Sequence, residues 1–255
     1  MEVELKDAVF IITGGGSGLG MATAEIFREA GAKVAIFDRD RERGASAARK
    51  LNAAFYPLDV TDDAGVQNAV EDTVRRFGTL DGVVNCAGIG IAARVLGKQG
   101  PHSLDAFQRV FMVNVLGTFN LSRWAGWTMK SLPAGEDGER GVIIQTASVA
   151  AYEGQIGQAA YSASKGAIVG MTLPIAREFA HYGIRVVSIA PGIFDTPMLG
   201  LLSEEARRSL GEQVPFPKRL GLPREYGLLA RHIVENPMIN GEVIRLDGAI
   251  RMAPR

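Results

Sequence analysis

Ala8-Val-Phe-Ile-Ile12 runs into Thr13-Gly14-Gly15-Gly16-Ser17-Gly18-Leu19-Gly20, and this stretch decides the fold. The apolar, β-branched run reads as a buried strand. A helix is expected to open near Leu19, because Ala22, Ile26, Phe27 and Ala30 recur at helical spacing and Gly31 can stop it. Lys33-Val-Ala-Ile-Phe37 is then a second strand, ending at Asp38. Strand, glycine turn, helix, strand and terminal acid, in that order, make a dinucleotide site. Glycines let the backbone approach a pyrophosphate, the helix N-terminus favours its charge, and the acid meets the adenine ribose. The spacing is Gly-x-x-x-Gly-x-Gly at Gly14, Gly18 and Gly20, not the general Gly-x-Gly-x-x-Gly. No lysine follows the loop, so it is not a phosphate loop of the ATPase kind. The plainer alternative is a glycine-rich turn with no ligand.

The same alternation continues along the chain. Ala54-Phe-Tyr-Pro-Leu58 reads as a third strand leading to Asp59-Val60, and Val66, Ala69, Val70, Val74 and Phe77 mark a helix. Leu80-Asp-Gly-Val-Val84 is a fourth strand, followed by Asn85-Cys86-Ala87-Gly88. A long connection, Ile89 to His102, carries Arg94, Lys98 and His102 and could reach over a substrate cleft; its plain alternative is a solvated loop. One helix is expected from about Leu104 to Lys130, with Asn114 inside it, then a polar turn from Pro133 to Gly141. Val142-Ile-Ile144 and Ile184 to Ala190 read as strands, with a helix from Gln158 to Ala180 between them that Pro174 should kink. A short amphipathic helix over Ser203–Gly211 is expected to act as a lid, followed by a helix over Pro223–Glu235 and a last strand over Glu242–Leu246. The fold class is therefore α/β. It is a single doubly wound Rossmann domain over residues 1–255, with about seven parallel strands and helices on both faces. The cofactor half is about residues 1–140 and the catalytic and substrate half about 141–255.

Composition narrows the function classes. The chain has 255 residues, 47 % of them hydrophobic, which suffices for one large core. Lys+Arg and Asp+Glu are both 28, so no net field draws the chain to nucleic acid or to a membrane surface. The single cysteine, Cys86, has no internal disulfide partner, which fits a reducing compartment. Met1 to Asp7 leads directly into a strand, so no signal peptide is expected. A cytoplasmic location is expected, or the mitochondrial matrix if the source is eukaryotic. The three histidines are scattered and share no metal-ligand spacing with each other or with Cys86, so no metal is expected.

The chemistry is expected between Ser148 and Lys165. Ser148 lies just past the strand Val142–Ile144, where open α/β sheets place ligands. Tyr161 and Lys165 are one helical turn apart and share a face. A free phenol titrates near ~10 and is a poor base at neutral pH. A neighbouring ammonium is expected to lower that value, and a serine hydroxyl could hold a substrate oxygen against the phenol.

Ser148 followed by Tyr161-x-x-x-Lys165, behind Thr13-Gly-x-x-x-Gly-x-Gly, resembles the short-chain dehydrogenase/reductase family over nearly the whole chain. The resemblance implies a catalytic set of Asn114, Ser148, Tyr161 and Lys165. Tyr161 would be the general base in oxidation. Lys165 would lower its pKa and hold the nicotinamide ribose, Ser148 would position the reacting oxygen, and Asn114 would anchor a proton-relay water. The plain alternative for Asn114 is a satisfied core polar group. The resemblance also implies a cofactor set of Gly14, Ser17, Gly18, Leu19, Gly20, Asp38, Asp59, Val60, Cys86, Tyr161, Lys165, Phe194 and Thr196. Within it, Asp59 and Val60 would lie beside the adenine, and Thr196 would bond the nicotinamide carboxamide. Asp59 also reads as a helix N-terminal acid. Cys86 departs from the family's Asn-Asn-Ala-Gly pattern, and it has no feature of a reactive thiol. Ser148, Gln158 and Tyr161 would contact substrate.

Three stretches are similar to the subgroup of that family acting on 3-hydroxyacyl-CoA: Gln155 to Gly166, Val214 to Gly221 and Asn240 to Met252. The resemblance implies NAD-dependent, reversible oxidation of a 3-hydroxyacyl-CoA by hydride transfer. It also implies a homotetramer, for which the tail Ala249–Pro254 offers apolar surface. Site chemistry alone supports only a secondary alcohol or ketone, such as a hydroxysteroid. A non-catalytic dinucleotide sensor is the rival from another class. Ser162-Ala-Ser-Lys165 also matches the Ser-x-x-Lys of penicillin-binding hydrolases, but Ser-Asp-Asn and Lys-Thr-Gly are both missing.

Overall fold

The computed structural model describes residues 5–200 and 203–254, so the leader reading over Met1–Glu4 lies outside the described residues. The elements alternate as the hydrophobic pattern requires. They begin with β1 (Val9–Thr13), α1 (Gly18–Glu29), β2 (Lys33–Asp38), α2 (Arg41–Leu51), β3 (Ala54–Pro57), α3 (Asp63–Phe77) and β4 (Gly82–Asn85). A two-stranded antiparallel hairpin follows, β5 (Leu96–Gly97) with β6 (Gly100–Pro101). Next come α4 (Leu104–Phe111), α5 (Gly117–Met129), β7 (Gly141–Thr146) and α6 (Ala159–Ala180). The chain closes with β8 (Ile184–Pro191), α7 (Glu204–Glu212), α8 (Pro223–Glu235) and β9 (Val243–Leu246).

Seven strands form one parallel sheet in the order β3-β2-β1-β4-β7-β8-β9. The chain reverses direction across the sheet between β1 and β4, the switch point at which such folds bind ligands. Thr13, Asn85, Gln145 and Ser188 stand abreast in the register, so the ends of four central strands open onto one edge. Strands buried on both faces need near-continuous apolar runs, and β1 and β8 are buried at every position. One face packs under α1 and α8 around Phe10, Phe27 and Tyr226. The other packs under α3, α5 and α6 around Val66, Leu121, Met129 and Ala176.

Three expectations change. The helix α2 has no counterpart in the sequence reading. The helix expected over Leu104–Lys130 is not uniform, because residues Met112–Leu116 form a π-helical turn between α4 and α5, with Asn114 at its centre. The Ile89–His102 connection contains the β5–β6 hairpin rather than a plain loop. Pro174 lies within α6 without ending it. Among the described residues, no helix is long and apolar enough to cross a membrane.

Candidate active site

The glycine loop lies at the switch point. Gly14 has φ +63°, and a Cβ there would sit 3.0 Å from the Ala87 nitrogen, so only glycine lets the β1 and β4 loops come together. Thr13 Oγ1 ties them further, accepting from the backbone nitrogens of Cys86 at 3.1 Å and Ala87 at 3.0 Å. The helix α1 opens at Ser17 with no capping side chain and no acid in its first turn. By contrast, Asp40, Asp62, Ser103 and Ser203 accept from the first turns of α2, α3, α4 and α7. The first-turn N–H groups of α1, over Gly18, Leu19 and Gly20, thus fit an anion. Asp38, at the end of β2, accepts from Gly16 N through Oδ2 and from Asp40 N through Oδ1, both at 2.9 Å. Its carboxylate is therefore fixed against the glycine loop, while Arg39 is exposed. These features fit a dinucleotide.

The other expected cofactor residues surround this edge. Thr196 and Pro197 lie against Gly18, where a Cβ would meet both at 3.6 Å. Asp59 Oδ1 accepts from Thr61 N and Thr61 Oγ1. The Val60 carbonyl accepts from Asn120 Nδ2 at 3.0 Å. Phe194 is buried in the core. The Cys86 thiol lies 3.8 Å from the Tyr226 hydroxyl and 3.7 Å from Thr146 Oγ1. Burial pushes it up to about 11, so it stays a thiol at neutral pH.

The four expected catalytic residues come from three segments: the π turn, the end of β7 and α6. Ser148 follows β7 in extended backbone, and its hydroxyl accepts from Ala150 N at 3.1 Å. Tyr161 lies in the first turn of α6, with Lys165 one turn on. Lys165 is almost fully buried, and its Nζ donates to the Thr146 carbonyl at 2.6 Å. Asn114 is fully buried. Its Oδ1 accepts from Ile89 N at 2.8 Å, and its Nδ2 donates to Ile89 O at 2.9 Å and Ser164 Oγ at 3.0 Å. Ser164 Oγ in turn donates to the Tyr161 carbonyl at 2.7 Å. A Cβ on Gly88 would face both Asn114 Oδ1, at 3.3 Å, and Lys165 Nζ, at 3.7 Å.

The pKa of Tyr161 departs from expectation. It lies above the ordinary phenol value because burial dominates, with the Ser148 hydroxyl acting in the opposite direction. Burial also lowers Lys165, to about 8. Both groups are desolvated, so each disfavours its own charged form. The Lys165 Nζ lies 5.7 Å from the Tyr161 ring centroid and is directed at Thr146. The expected lowering of the phenol by the ammonium is therefore not what the protein fold alone produces.

Gln158 immediately precedes α6 without capping it through its side chain, and its amide faces Gln155 rather than Tyr161, with Oε1 accepting from Gln155 N at 3.0 Å. A cavity of about 480 Å³ lies beside it, lined by Arg94, Val95 and Leu96 on one side and by residues 154–157 and 162 on the other. Lys98 and His102 do not line it. Thr13, Ile89, Thr146 and Ser164 also build the site. Only Thr13 had a signal, as the first residue of the glycine motif. Thr146 meets Lys165, and Ile89 meets Asn114, through backbone atoms. Among the described residues, no cluster of His, Cys, Asp or Glu could hold a metal ion.

Fold, glycine loop and catalytic set together define a class, and the short chain dehydrogenase family model matches residues 8–207. The chain belongs to that family and is an oxidoreductase, which sets aside the sensor alternative. It is 54 % identical to human 3-hydroxyacyl-CoA dehydrogenase type-2, covering 98 % of this chain and 97 % of that one. It is 50 % identical to the protein of the same name from Drosophila melanogaster, covering 98 % and 100 %. A crystal structure of 3-hydroxyacyl-CoA dehydrogenase type-2 from Mycobacterium avium superposes with a TM-score of 0.93 at 37 % identity, over 99 % of this chain and all of that one. Members of the family use NAD or NADP and act on small molecules.

Proposed function

We propose that this enzyme interconverts 3-hydroxyacyl-CoA and 3-oxoacyl-CoA with NAD as cofactor. The observation that carries the oxidoreductase chemistry is the convergence of Ser148, Tyr161, Lys165 and Asn114 beside an uncapped helix N-terminus and a loop-facing Asp38. The names of the similar proteins support the acyl-CoA substrate. A bound nicotinamide dinucleotide supplies the two-electron acceptor or donor. The glycine loop and the first turn of α1 hold its pyrophosphate, Asp38 its adenine ribose, Asp59 and Val60 the adenine side, Thr196 the carboxamide, and Lys165 the second ribose.

The Ser148 hydroxyl holds the reacting oxygen beside the Tyr161 hydroxyl, which takes the alcohol proton in oxidation and returns it in reduction. Lys165 stabilises the phenolate once a proton has left. Asn114 ties the Ile89 loop to Ser164 on α6, beside Lys165, where a relay water would reach the lysine. We place the enzyme in the cytoplasm, or in the mitochondrial matrix if the source is eukaryotic, as a homotetramer.

The test is the NADH absorbance assay with acetoacetyl-CoA, a medium-chain 3-oxoacyl-CoA and a steroid ketone in parallel. Acyl-CoA turnover well above steroid turnover is expected. Steroid turnover alone would make the enzyme a hydroxysteroid dehydrogenase instead.

A further inference from the structure

The last strand and the tail behind it reach back to the chain that leads into α6. Arg245, on β9, places its two Nη atoms on the two carboxylate oxygens of Glu153, each at 2.8 Å. Its Nε donates to Asp247 Oδ2 at 2.8 Å, and Nη2 also donates to the Ile250 carbonyl at 3.1 Å. The guanidinium lies 5.2 Å from the ring centroid of Tyr152. Arg251 adds a second cation, 3.3 Å from Asp247 Oδ2 and 3.6 Å from Glu153 Oε1. Exposed ion pairs contribute little, but the side chains of Arg245, Glu153 and Asp247 are only 22 %, 24 % and 9 % exposed. Two parallel N–H···O bonds also fix orientation as well as distance.

Beyond this cluster the tail runs as a strap. Ile156 N donates to the Pro254 carbonyl and Gln155 Nε2 to the Ala253 carbonyl, both at 3.0 Å. Gln155 N continues the chain to Gln158 Oε1, and Gln158 is the residue on which α6 opens, just before Tyr161. The strapped segment holds two glycines, Gly154 and Gly157, the second at φ +92°. Such a segment loses much entropy when it is ordered. It is also one wall of the 480 Å³ cavity, which Arg94–Leu96 closes opposite and Ser162, the neighbour of Tyr161, lines. Ala93 N donates to the Gly157 carbonyl at 2.9 Å and so joins the two walls.

We infer that Arg245 is a positioning residue for substrate: through Glu153 and the tail it holds residues 154–157 as a preformed wall for the body of the substrate. The inference rests on the acyl-CoA reading in that it needs a substrate extending beyond the reacting carbonyl. Preorganisation lowers the ordering cost at binding, so its loss falls on KM. Arg245 touches none of the groups that move the proton.

The test is Arg245→Met, read by hydrogen exchange and by kinetics. The amides of residues 155–158 should exchange ~10-fold faster or more, because local opening is no longer opposed. KM for a medium-chain 3-oxoacyl-CoA should rise by ~5–10-fold, with kcat and NADH affinity within about twofold of wild type. Arg245→Lys, which keeps the charge but not the paired bonds, should fall between the two. If Arg245→Met does not fold, Glu153→Gln asks the same question from the loop side. Unchanged exchange would overturn the inference, and so would a loss shared equally by NADH affinity and kcat. If wild type turned over no acyl-CoA, the activity reading would fall. The exchange result, with the same kinetics on whichever ketone is accepted, would still decide the role of Arg245.

Discussion

Lys165 Nζ donates to the main-chain carbonyl of Thr146 at 2.6 Å, in a pocket where it is almost fully buried. The ammonium is tied to the end of β7, the strand that delivers Ser148, so Lys165 and Ser148 share one anchor. Burial brings Lys165 down from 10.5 to about 8. The folded state therefore sheds this proton at lower pH than the unfolded chain does. Between those values the unfolded chain binds more protons, so stability rises with pH. Below about pH 8 both states hold the proton and the burial cost is fully present. Wild type should thus gain roughly 3 kcal/mol relative to Lys165→Met between pH 8 and pH 10.5. Urea unfolding without added dinucleotide, at several pH values, measures it. A constant difference between the two proteins would mean that the lysine is not desolvated.

Asn114 joins the Ile89 loop to α6 through Ser164. Replacing it by Leu leaves Ile89 N, Ile89 O and Ser164 Oγ each without this partner. Unsatisfied buried polar groups of this kind should cost ~2–4 kcal/mol in total. A stability change under ~0.5 kcal/mol, the scale of an unremarkable surface substitution, would show that water replaces the amide fully.

Much of this site was legible because spacing carries it. Tyr161 and Lys165 are a helical turn apart, and the glycines of the β1 loop precede a periodic helix. What escaped did so for physical reasons. The helix α2 buries only Gly44, Ala47 and Ala48, so its charged sequence shows no apolar stripe. The π turn at Asn114 changes backbone bonding without changing the apolar pattern. Thr146 meets Lys165 through a carbonyl that any residue type would supply. Arg245 and Glu153 are 92 positions apart, and only the sheet brings them together. The direction of the Tyr161 shift is not legible in sequence, because helical spacing reports proximity to Lys165 and not burial.

Asp38 should set the cofactor choice. Both of its oxygens accept backbone N–H groups, which hold the carboxylate where an adenine ribose would meet it. A 2′-phosphate there faces like charge in a partly dry site. NAD should be preferred over NADP by at least ~100-fold in kcat/KM, about 2.7 kcal/mol. Asp38→Ala should shrink the ratio chiefly by improving NADP use. Equal use of both by wild type would mean that Arg39, which is exposed, governs the ribose instead.

Assembly is open to direct measurement. Leu116, Phe119 and Trp127 lie on the α5 side of the molecule at 48 %, 45 % and 63 % exposure. Apolar surface of this kind suits burial against a second copy. Sedimentation at micromolar protein should give a tetramer, and a monomer would contradict the proposed assembly.

The central claim is that the Tyr161 hydroxyl transfers the proton. Tyr161→Phe keeps the ring, its packing and the Ser164 bond to its carbonyl. The decisive measurement is NADH oxidation with acetoacetyl-CoA by wild type and Tyr161→Phe, with NADH affinity determined for both. Turnover should fall by ~10²–10⁴, the usual contribution of a general acid–base group, while NADH affinity stays within about twofold. A Phe variant with near-normal turnover would contradict the account.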